Sequence, residues 1–118
     1  MEKIIVFTRQ EGFRIETVAI LKVTLDKDIP DAKVMEEYKR LVTMWARDTK
    51  NGKELLVYSG GDVNIGDISC YDAEFSKFLK CLSKKNRGHI LKASIVFSGE
   101  VQDAIPFDTL LVNIPKED

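Results

Sequence analysis

Histidine and cysteine, the side chains most used for proton transfer near neutral pH and for holding metals, are scarce in this chain. His89 is the only histidine, and Cys70 and Cys81 are the only cysteines among 118 residues. No Cys/His spacing of the zinc-binding kind is present, so neither a metal nor any other cofactor is expected. Read as members of one helix, the two cysteines have Cα atoms about 16 Å apart at 1.5 Å rise per residue. A disulfide needs about 7 Å or less, so they do not pair with each other. Two unpaired thiols fit a reducing compartment.

Long apolar runs are lacking as well. Ile4 to Phe7 and Val18 to Leu21 are strand-sized, far short of the roughly 20 residues that cross a bilayer. The start, MEKIIVFTRQEGF, carries Glu2 and only four consecutive apolar residues before Arg9, which does not make a secretory signal. A cytoplasmic protein with no membrane association is therefore expected. Charge of one sign is also missing: the net value of −1 argues against a generic coat for nucleic acid or anionic lipid.

What remains is an ordinary globular composition, 44% hydrophobic and 31% charged. Residues 1–118 are expected to form a single domain, burying roughly two-thirds of the surface that the unfolded chain exposes. Lys3 to Arg9 reads as a strand, Gln10 to Gly12 as a turn, and Phe13 to Leu25 as a second strand. In the latter, Phe13, Ile15, Thr17, Ala19, Leu21, Val23 and Leu25 alternate onto one face, and the short turn implies an antiparallel hairpin. After Pro30, Val34, Tyr38, Leu41, Val42 and Trp45 recur at helical intervals, and Asn51-Gly52 reads as the end of that helix.

Glu54 to Ser59 (ELLVYS) reads as a third strand, with Val63 to Ile68 as a short partner. Ser69 and Asp72 form an N-cap and near-capping box for a second helix, in which Phe75, Phe78, Leu79 and Leu82 make the apolar face. Asn86 and Gly88 end it. Ile90 to Ser98 and Thr109 to Ile114 are the closing strands. The expected fold is α+β: two amphipathic helices packed on one face of a mostly antiparallel, five- or six-stranded sheet. A ferredoxin-like core with extra strands is the favoured variant.

The potentially reactive side chains mostly have plain structural explanations. His89 follows Gly88 at a helix exit, where it suits water or the negative helix end. A catalytic role would require a nucleophile such as Cys70, Cys81 or Ser83, and the spacing supports none. Cys70, in the first turn of the expected helix, has the setting that activates a thiol but no other support, and Cys81 is expected to border the core. The loop GGDVNIGD, with Gly60, Gly61 and Gly66, follows neither nucleotide-binding fingerprint. Counted from Asp62, it misses the calcium-loop pattern by one residue at both the glycine and the glutamate.

One charged feature stands out. Lys77, Lys80 and Lys84 recur along the expected second helix, and Lys85, Arg87 and His89 continue the basic stretch past its end. A solvated helix face with cations towards its C-terminus explains it structurally. Read functionally, these six residues are the candidate partner- or ligand-binding site, suited to phosphates or an acidic protein surface. No aromatic side chain is interleaved for stacking on bases.

With no reactive centre identified and no catalytic residue assigned, the leading expectation is a small non-enzymatic protein. It would bind and modulate a protein partner as inhibitor- or immunity-like regulatory proteins do, an association made at the level of fold alone. The alternative is a nucleotide- or nucleic-acid-binding protein using the basic patch. A homodimer through the edge strand Thr109 to Ile114 is a further option, with Pro106 and Pro115 blunting that edge.

Overall fold

The structure is a computed structural model in which residues 1–63, 65–98 and 111–113 are described. It opens with β1 (Glu2–Glu11) and β2 (Arg14–Leu25), paired antiparallel from Glu2↔Thr24 to Glu11↔Arg14. The connecting turn is only Gly12-Phe13. Gly12 takes φ +57°, the positive value demanded at the first central position of a type II′ turn. At the other end, the Met1 ammonium donates to the Leu25 carbonyl at 3.0 Å, and the Lys3 ammonium reaches both Asp28 and Asp31 at 2.8 and 3.0 Å. These contacts tie the Asp26–Pro30 connection across the start of β1.

Every helix among the described residues then falls in one stretch. Helix α1 (Asp31–Asp48) buries Val34, Tyr38, Leu41, Val42 and Trp45, the stripe that its spacing predicts, together with Ala46. Helices α2 (Lys50–Tyr58), α3 (Ile65–Ile68), α4 (Asp72–Cys81) and α5 (Lys84–Arg87) follow, with a 3-10 turn at Ser69–Tyr71. The chain returns to the sheet as β3 (Ile90–Ser98) and the three-residue β4 (Leu111–Asn113). Strand order is β3-β2-β1-β4, and every pairing is antiparallel.

The α+β class agrees with expectation, but the strand count and topology do not. Among the described residues the sheet has three long strands and one short edge strand, not five or six. Of the expected strand Glu54 to Ser59, all but Ser59 lies within α2, and the expected strand Val63 to Ile68 contains the helical turn α3. A ferredoxin-like core would interleave strands and helices as βαββαβ. Here the helical stretch separates two strands from two, so that variant is excluded. The layer on the sheet also holds more than the two helices expected.

Two local causes explain the misread segment. Thr49 is extended, its hydroxyl donates to the Trp45 carbonyl at 2.7 Å, and the same oxygen accepts the Gly52 N–H at 3.0 Å. One side chain thus closes α1 and starts α2. Gly52, read as a stop, is a close-approach glycine: a Cβ there would collide with the Trp45 carbonyl oxygen and lie 2.7 Å from Ala46 Cα.

Among the described residues, the buried apolar side chains form one cluster. Ile5, Phe7, Ala19, Leu21, Val23 and Leu25 from the hairpin meet the α1 stripe, with Phe75, Leu79, Ile90 and Ala93. Tyr38 packs edge-on against Phe75 at 5.8 Å, and Trp45 lies 5.4 Å from the Tyr71 ring. Burial of Tyr38 pushes its phenol far above the usual range. Asp72, at the start of α4, accepts the Ile95 N–H at 3.2 Å, engaging the backbone of the edge strand β3.

Candidate functional site

The six basic-patch residues are distributed over the end of the helical layer. Lys77 and Lys80 lie exposed on α4, Lys84 and Lys85 exposed on α5, Arg87 ends α5, and His89 leads into β3. The continuous second helix expected through Asn86 is instead broken. Ser69 begins the 3-10 turn, α4 starts without a side-chain cap, and Ser83 caps the separate α5 by accepting the Asn86 N–H at 3.4 Å.

Carboxylates from other elements converge on the end of this patch. His89 Nδ1 lies 2.8 Å from Asp26 Oδ1, and the His89 backbone N–H donates to Glu37 Oε2 at 3.2 Å. The backbone also joins these segments, with Asp26 N–H donating to the His89 carbonyl at 3.1 Å. The His89 hydrogen bond holds the Asp26 carboxyl below its ordinary value, and the nearby charges of Lys84 and Arg87 act in the same direction. Gly88, at φ +69°, brings the backbone against Glu37, whose carboxylate would be 3.0 Å from a Cβ at that position.

The result is a mixed-charge cluster at the α5–β3 junction, while Lys77, Lys80 and Lys85 stand exposed on α4 and α5. Asp26 and Glu37 were absent from the candidate residues because they lie 63 and 52 positions from His89, too far for any local pattern to link them. Arg87 Nε is buried without a hydrogen-bond partner.

The remaining sequence candidates separate. Cys70 sits on the 3-10 turn and Cys81 at the end of α4. Both are exposed, so Cys81 does not border the core as expected. Asp67 accepts from the Ser59 hydroxyl at 3.2 Å, and no metal-holding group of His, Cys, Asp or Glu occurs among the described residues. No helix among them is long and apolar enough to cross a membrane.

A second surface was not anticipated. Strand β3 pairs with β2 only over Ala19–Leu25, and β4 pairs with β1 only over Val6–Thr8. Residues 9–17 therefore continue as a two-stranded arm beyond the rest of the described sheet. On it Phe13 is fully exposed, Ile15 is 64% exposed, and Arg9 pairs with Glu16 at 3.2 Å. The alternation of Phe13 and Ile15 with Ala19 and Leu21 suggested one continuous core face. Burial begins only at Val18.

No known protein family, curated protein or solved structure matches this chain in comparison.

Proposed function

We propose that this is a non-enzymatic binding protein that docks on a protein partner and modulates it, engaging that partner with the tip of the β1–β2 arm. The observation that carries the reading is the placement of Phe13 and Ile15. Two large apolar side chains project into solvent on a hairpin extension. Apolar groups exposed in this way contribute nothing to the core. Buried in a partner's pocket, a phenylalanine of this kind contributes about 1.5–3 kcal/mol.

The test is capture of partners from the source cell by wild-type protein and by the Phe13→Ala/Ile15→Ser variant. Stoichiometric recovery by the wild type, with loss by a variant of unchanged melting temperature, supports the reading. Equal recovery by both, or repeated failure of the wild type to capture any protein, overturns it.

The rival reading, capture of a nucleotide or nucleic acid by Lys77, Lys80, Lys84, Lys85, Arg87 and His89, is favoured by the exposure of the four lysines. It is opposed by the carboxylates of Asp26 and Glu37. Under that reading, oligonucleotide affinity at low salt falls steeply as salt is added, and drops again in Lys80→Glu/Lys84→Glu. Absence of binding at low salt removes it.

A further inference from the structure

A groove of about 450 Å³ lies on the helical layer, lined by Glu54, Leu55 and Tyr58 of α2, Asp67 of α3, and Cys70 and Tyr71 of the 3-10 turn. That volume is in the range of small-molecule sites. Part of its wall is held by contacts already in place, while Glu54 and Tyr58 stand exposed at its rim. Glu54 and Tyr58 are one helical turn apart on α2, so they share a face. Leu55 is nearly buried and belongs to the core, the Tyr71 ring rests against Trp45, and the Ser59 hydroxyl at the end of α2 holds Asp67.

The chemistry of this lining is one-sided. Among the described residues it consists of two carboxylates, two phenol rings, an aliphatic side chain and the Cys70 thiol, with no basic side chain. Aromatic faces attract cations through their quadrupole, carboxylates attract them directly, and both reject anions. We infer that the groove between α2 and the 69–71 turn is a binding site for a small organic cation, an ammonium group carried on an apolar body. In this arrangement Glu54 and Asp67 receive the charge, while Leu55, Tyr58 and Tyr71 cover the hydrocarbon. The inference is independent of the arm, because none of its lining residues lies on β1 or β2.

The chain supplies its own reporter. Cys70 lines the groove and Cys81 lies outside it, and both are exposed. Alkylation by iodoacetamide, read at each cysteine by peptide mass spectrometry, is measured with phenethylammonium, its neutral isostere 2-phenylethanol, or neither. At millimolar phenethylammonium, the rate at Cys70 is expected to fall about threefold or more, with Cys81 unchanged and 2-phenylethanol without effect. Glu54→Gln and Asp67→Asn, which keep side-chain shape, are each expected to weaken this protection about fivefold. Equal protection by the neutral isostere, undiminished protection in both variants, or no protection at Cys70 overturns the inference. A free organic cation is assigned as the occupant, so stronger protection by Nα-acetyl-lysine methylamide than by phenethylammonium would overturn that assignment in favour of a peptide side chain.

Discussion

At Gly52 a hydrogen atom is the only side chain that fits, because α2 begins while still pressed on the last turn of α1. Gly52→Ala is expected to destabilise the fold by about 1–3 kcal/mol despite the better helix propensity of alanine, as overpacking does elsewhere. Chemical denaturation checks the sign: a stabilised variant would mean that the two helices are not in contact there. Asp72 poses a finer question. Burial raises its carboxyl above the usual value of 3.8, the Ile95 N–H works the other way, and the net shift is upward. A raised carboxyl means the folded state holds the proton more tightly, so stability falls as pH rises from 3.8 through the folded value. Asp72→Asn does not titrate and keeps an acceptor for Ile95. Its stability relative to wild type is therefore expected to improve from pH 3 to pH 7, as followed by thermal melts. Asp72→Ala removes the acceptor and is expected to cost about 1–3 kcal/mol at either pH. Asp26 has the opposite sign. Its carboxyl is lowered, so its contribution is present above pH 3.8 and is lost as the medium becomes more acid. Asp26→Asn is expected to remove that part of the acid dependence. An unchanged pH profile would contradict the Asp26–His89 contact.

Among the elements, the segment 50–58 separates local preference from tertiary context. Leu55, Leu56, Val57 and Tyr58 form a short apolar run whose composition suits a strand, and so short a run has no period of its own. The decision lies outside it, in the Thr49 cap and in the fit of Gly52 against Ala46 and Trp45. Only Leu55 of the run is buried among the core residues, whereas Val57 and Tyr58 are exposed. Backbone chemical shifts of residues 50–58 are expected to be helical, and extended values there would restore the additional strand. By contrast, α1 was legible because Val34, Tyr38, Leu41, Val42 and Trp45 keep one helical period along it. The β1–β2 hairpin was legible because Gly12 supplies the turn chemistry. Where the core face of β2 begins was not legible. Alternation continues through Phe13 and Ile15, but the ladder shifts register at Phe7/Thr8, leaving Val18 as an extra residue with Val18 and Ala19 both buried, and the sequence of β2 does not encode that break.

For the molecule as a whole, the helical layer and the arm assign charge and apolarity to different places. The exposed lysines of α4 and α5 precede a junction where Asp26 faces His89, Lys84 and Arg87, and Glu37 accepts the His89 backbone N–H. Local spacing revealed the cations but not those carboxylates, since the fold brings them from the end of β2 and from α1. The groove beside α2 is acidic and aromatic, and its components were scattered through a segment read partly as strand. The apolar side chains of the arm tip take no part in the shared interior. They are the basis for proposing that the hairpin is the docking element. Amide hydrogen exchange of the protein, free and bound to its captured partner, tests that claim most directly. Slowed exchange is expected across residues 9–17 on binding, with Ala19–Leu25 already protected in the free protein. Unchanged exchange in the arm, with new protection confined to Lys77–His89, would contradict it.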